Sequence, residues 1–142
     1  MVMMAAEVFN VLLRWVHIAS AAVLVGGLVF ARVVAAPVLG TDLALLEKLA
    51  RRARFLIFSA LAGLLVSGSL NLFAHAGHTR YYHIWFGAKF LLALHVFVST
   101  ALAMRPAPET PEAAALRLRR LTGALVAGLV ILLISAYLRR IY

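Results

Sequence analysis

The 142-residue chain contains no cysteine, which excludes disulfides, thiolate metal sites, covalent c-type haem attachment and cysteine nucleophiles. Acidic residues are scarce, 5 against 14 Lys and Arg, and only 13% of residues carry a charge at all. Polar surface is therefore too small to enclose a water-soluble core. Hydrophobic residues make up 65% of the chain, with a mean hydropathy of +1.00, where soluble domains have about 45–50% apolar residues. In so apolar a chain the basic surplus must gather at the ends of hydrophobic segments, so it speaks for membrane topology and not for a nucleic-acid partner.

Four long apolar stretches are present, at 9–36, 55–74, 84–104 and 121–138, each near the roughly 20 residues that a helix needs to cross a bilayer. The expected fold is all-α: a polytopic membrane protein whose residues 1–142 form one four-transmembrane-helix bundle. The first stretch does not read as a cleaved secretory signal, because MVMMAAE carries Glu7 and no Lys or Arg, and the apolar run outlasts a signal-length core. Thr41-Asp42 is placed to cap the second helix, which then starts ahead of its span and projects from the membrane. Thr110 is placed to cap the last, with Pro111 at the first helical position.

Charge then orients the bundle. The first connection, 37–54, holds Lys48, Arg51, Arg52 and Arg54, and the third, 105–120, holds Arg105, Arg117, Arg119 and Arg120, whereas the second holds only Arg80. The positive-inside rule puts both basic connections in the cytoplasm and both termini outside an inner (cytoplasmic) membrane, with Arg139 and Arg140 weighing against that contrast. Trp15, Tyr81, Tyr82, Trp85 and Tyr137 fall near the outer ends of their spans, as an interfacial aromatic belt does. Ala22/Gly26, Ser59/Gly63 and Ala124/Gly128, each spaced i,i+4, suit close helix packing. A homo-oligomer stays open.

Ionisable groups at membrane depth are costly and tend to be functional, which singles out His17 and His95. At 1.5 Å per residue His17 lies ~12 Å, and His95 ~16 Å, below the outer ends of the first and third spans. Two imidazoles at matched depth suit axial ligation of a haem b. Arg14, one turn outward of His17, together with Lys89 and Arg80, is placed to meet the haem propionates. The competing reading is that each histidine hydrogen-bonds a serine or carbonyl of a neighbouring helix and only fastens the bundle; copper or proton handling is a third. In the outer loop His75, His78 and His83 are close enough in sequence to share Cu(II) or Zn(II), with Met3 and Met4 on the same side as soft ligands for Cu(I). Arg32, at the inner end of the first span, is expected to reach the headgroups.

The segments RWVHIASAAVLVGGLVFARVVAAPVL, LEKLARRARFLIFSALAGLLVSGSLNL and WFGAKFLLALHVFV resemble the CopD-like family of small membrane proteins and the HemJ type of protoporphyrinogen oxidase. This resemblance covers most of the chain through loose motifs, and implies a four-helix membrane unit. On the HemJ side it implies haem b and a catalytic pairing of the first-helix histidine and third-helix lysine, here His17 and Lys89, and it leaves those two open as the axial pair. On the CopD side it implies copper uptake. Beyond Lys89 the chain carries Ser99 and Thr100 where the HemJ pattern has a Tyr-His pair, and His95 sits mid-helix instead. The leading expectation is a bis-histidine haem b protein that exchanges electrons with a quinone or a partner redox subunit. The alternatives are HemJ-like oxidation of protoporphyrinogen IX, CopD-like copper binding or transport, and a structural subunit of a larger membrane complex.

Overall fold

The computed structural model describes residues 2–40, 42–74, 80–106 and 110–141. Among them every regular element is helical: α1 (Val2–Val29), a π-helical segment (Phe30–Ala35), α2 (Ala36–Leu39), α3 (Leu43–Ala74), α4 (Arg80–Ala103) and α5 (Pro111–Ile141). Four stretches are long and apolar enough to cross a membrane, Glu7–Leu39, Leu43–Leu70, Ile84–Ala103 and Pro111–Leu138. The protein is an integral membrane four-helix bundle, as its composition requires.

The helix starts follow local chemistry. Asp42 Oδ1 accepts the Leu45 N–H at 2.9 Å and Thr110 Oγ1 accepts the Ala113 N–H at 3.3 Å, so each side chain satisfies the donor three residues into its helix. α3 accordingly runs unbroken from Leu43 into its span. The end of the first span departs from expectation, because helix continues through Pro37 to Leu39. Pro37 has no N–H to offer the carbonyl one turn back, and its ring crowds that carbonyl. The preceding turn widens to π spacing, with Ala36 N–H bonded to Ala31 O, and this relieves the crowding. Gly40, at φ 52°, then takes the left-handed conformation that ends the helix and lets Asp42 follow at once.

α1 packs along α3 and α4 along α5, while α1 also touches α5. The core joining the two pairs is Leu24, Leu28, Ile57, Leu61, Val96, Leu121 and Ala124. Two of the small residues act as expected. A Cβ on Gly63 would collide with Ser20 of α1, and one on Gly128 would touch Val25 at 3.5 Å. Gly26 does not, since nothing lies within 4 Å of its missing Cβ. At the end away from the basic connections Trp85 and Tyr137 tie α4 to α5, ring centroids 5.7 Å apart.

The helices are unequal. α4 has 24 residues against 32 in α3 and 31 in α5, a deficit of roughly 10 Å at 1.5 Å per residue. The deficit falls at the end that carries the basic connections. Arg117, nearly two turns into α5, donates to the carbonyl of Arg105, just past the end of α4. Beyond that level three segments surround a space that no fourth helix fills.

Candidate functional site

Polar side chains inside the bundle gather at two levels. The level away from the basic connections is built on Ser67, a 1% exposed residue of α3. Its single hydroxyl proton goes to the carbonyl of Gly63, 2.6 Å away and one turn back, the usual local bond of a serine within a helix. His17 Nδ1 of α1 lies 2.8 Å from the same oxygen. With the hydroxyl proton on the Gly63 carbonyl, Ser67 Oγ accepts from the Nδ1–H tautomer of His17; the other tautomer would take the hydroxyl proton itself. In the Nδ1–H tautomer the lone pair is left on Nε2. An imidazole held through Nδ1–H with Nε2 available is the arrangement found in metal-ligating histidines. Gly68 supports the ring's position, since a side chain there would begin 4.0 Å from His17 Cε1. From the other helix pair, half-buried Lys89 of α4 stands within electrostatic range of His17.

His95 is directed elsewhere. It is exposed, its Nε2 lies 3.3 Å from where a Cβ on Gly123 of α5 would stand, and Ser99 Oγ of its own helix is 3.5 Å away. The bare backbone at Gly123 lets the imidazole lie against α5. The neighbours of the two histidines thus come from different helices, Ser67 of α3 for His17 and Gly123 of α5 for His95. Arg14 is exposed on α1, one turn from His17. His75 and His78 lie outside the described residues, as do the side chains of Met3, Arg80 and His83; Met4 is exposed. Among the described residues no three His, Asp or Glu side chains come together as a metal-binding group.

The second level is at the basic end, around Glu47, only 9% exposed. Arg117 of α5 meets its carboxylate at 2.6 Å and Arg54 at 3.5 Å. A buried carboxylate requires such partners, and the sequence offered a cue: Glu47 is the only acid in α3, within a basic run. Arg32 does not simply extend toward headgroups. Its Nε donates to Thr122 Oγ1 of α5 at 3.1 Å, and Thr122 donates in turn to Leu118 O at 2.8 Å.

Comparison of the chain with protein-family models, with curated proteins and with solved structures gave no match.

Proposed function

We propose that the protein is a haem b-binding membrane protein that exchanges electrons with a quinone or a partner redox subunit, with His17 as an axial ligand. The observation that carries this reading is the 2.8 Å contact of His17 Nδ1 with buried Ser67 Oγ, which orients the ring and, in the Nδ1–H tautomer, leaves Nε2 its lone pair. The donor set suits an iron porphyrin: one oriented neutral imidazole, an amine at Lys89, and an exposed guanidinium at Arg14 for the propionates. Haem b, when bound, supplies one-electron chemistry. The chain's own part is to orient the His17 ring, to place Lys89 within electrostatic range from the other helix pair, and to keep the site among apolar helices. The basic connections face the cytoplasm and the His17 level lies toward the outer face.

A reduced-minus-oxidised visible spectrum of protein purified from a haem-replete host tests this. The wild type and His95→Ala are expected to show a sharp b-type α band, and His17→Ala none. Ser67→Ala is expected to lower haem affinity by about 10-fold or more, the usual effect of removing the group that orients a ligand. A colourless wild type, or a band that survives in His17→Ala, would overturn the reading.

One observation favours a second reading. Lys89 lies within electrostatic range of His17, and this is the pair that the resemblance to HemJ-type oxidases implies. Under that reading the His17–Lys89 site takes a porphyrin as substrate. Turnover of protoporphyrinogen IX by the wild type, lost in Lys89→Ala, would select it.

A further inference from the structure

Among the described residues Arg32 is a cation inside a span that no carboxylate neutralises. It belongs to the π-helical segment and precedes the helix end at Leu39 by roughly 10 Å at 1.5 Å per residue. A cleft of about 560 Å³ below the short end of α4 has Phe30, Ala31 and Ala35 of that segment and Leu118 and Leu121 of α5 in its wall. Arg32 and Thr122, both half-buried, are not part of that wall. Their contact lies off the cleft, on the flank of the joint between the first and last helices.

The guanidinium is pinned there. Its Nε–H goes to Thr122 Oγ1 at 3.1 Å, and the Thr122 proton goes to Leu118 O. The four N–H groups on the two Nη atoms make no hydrogen bond to a described residue. Glu47, the buried carboxylate, is already taken by Arg54 and Arg117. Glu112 stands ten residues before Thr122 on α5, about 15 Å along the axis. An arginine held through Nε is not free to stretch to the aqueous edge as a loose one does, so the counter-charge has to come to it.

The surroundings indicate what kind of anion fits. Arg119 is exposed three residues before Thr122, on a neighbouring row of α5 and toward the basic end. In the opposite direction, toward the middle of the spans, the same two helix surfaces are apolar and open: Val29 is 39% exposed, Val126 56% and Leu129 49%. Cationic donors at one end and an open apolar track at the other match an amphiphile with an anionic head. A soluble anion would use the first feature and leave the second without a role.

We propose that Arg32, positioned by Thr122 and flanked by Arg119, binds the phosphate of an anionic phospholipid in the leaflet that meets the basic connections, with an acyl chain along Val29, Val126 and Leu129. The Nη groups donate to the phosphate oxygens. Two guanidinium groups with no acid beside them favour a head group of net negative charge over a zwitterionic one. The site is separate from His17 and does not rest on the haem reading.

The test uses the full-length protein in a neutral maltoside detergent. Dioleoylphosphatidylglycerol is the probe, with dioleoylphosphatidylcholine and inorganic phosphate as the other arms. Bound lipid is counted by native mass spectrometry, and the shift in unfolding temperature is followed in parallel. The wild type is expected to prefer the phosphatidylglycerol and to be stabilised by it. Arg32→Gln is expected to bind it about tenfold or more weakly, and Arg32→Lys, which keeps the charge without the fork, to recover only part of the loss. Thr122→Val leaves every charge in place and releases Arg32; about threefold weaker binding is expected. Arg52→Gln, the same loss of charge at an exposed position of α3, is expected to bind as the wild type does. Equal affinities of Arg32→Gln and Arg52→Gln would overturn the proposal by reducing the binding to overall charge, and equal binding of the two lipids would overturn it as well. Displacement of the lipid by millimolar phosphate, but not by chloride of the same ionic strength, would overturn it in favour of a soluble phosphate. Should Arg32→Gln fail to fold, Thr122→Val decides alone: wild-type affinity there overturns the site.

Discussion

The two ends of this bundle treat buried polarity in opposite ways. At the basic end the charged side chains that line the cleft among the described residues, Glu47 and Arg117, pair with each other, and Arg54 adds a longer contact to Glu47. At the His17 level there is no such balance. Ser67 engages one nitrogen and, in the Nδ1–H tautomer, leaves the other a lone pair, with the Lys89 amine within electrostatic range. Apolar helices tolerate polar groups where these cancel or where they serve a ligand. One end holds the fold and encloses a cavity; the other holds an unspent donor.

The comparison can be broken first at Glu47. Glu47→Ala strands Arg117, which has only 15% of its side chain exposed, and is expected to destabilise the bundle by about 3 kcal/mol. Arg54→Ala removes a longer contact, to a side chain 27% exposed, and should cost less than about 1 kcal/mol. Unfolding midpoints in detergent read both, and equal losses would mean that Glu47 is not anchored chiefly by α5. Two glycines sharpen the contrast between packed and open faces. Gly63→Ala must push α1 away at Ser20 and should cost about 1–2 kcal/mol. Gly26→Ala meets nothing within 4 Å and should gain about 0.5–1 kcal/mol from helix propensity; a loss there would show that the cleft face is closed in the membrane. The caps act most locally. Asp42→Ala and Thr110→Ala should each cost about 1 kcal/mol, seen as greater amide exchange in the first turns of α3 and α5.

Span number, both caps and the unbroken run of α3 from Leu43 were legible in the sequence because each depends on residues adjacent in the chain. The azimuth of each helix was not. In lipid an apolar face has no preference for the inside, and α4 shows this: Leu91, Leu94 and Val98 are exposed while Val96 is buried. The sequence accordingly did not show that the His95 ring lies against the bare backbone at Gly123. Ser67 was visible as an intramembrane serine, but its role depends on the approach of α1 at Gly63. The cleft was hidden for another reason: it results from a difference in helix length, and the sequence places the end of α4 only once Arg105 is known to lie beside Arg117.

The Glu47–Arg117 contact joins residues 70 apart in the chain. During synthesis the first two spans must therefore wait, with the acid of α3 held only by Arg54, until the last helix emerges and enters the membrane. The fastening closes last. A ribosome stalled before α5 would leave that carboxylate half-satisfied in a partial bundle, so this one ion pair separates a finished chain from an interrupted one.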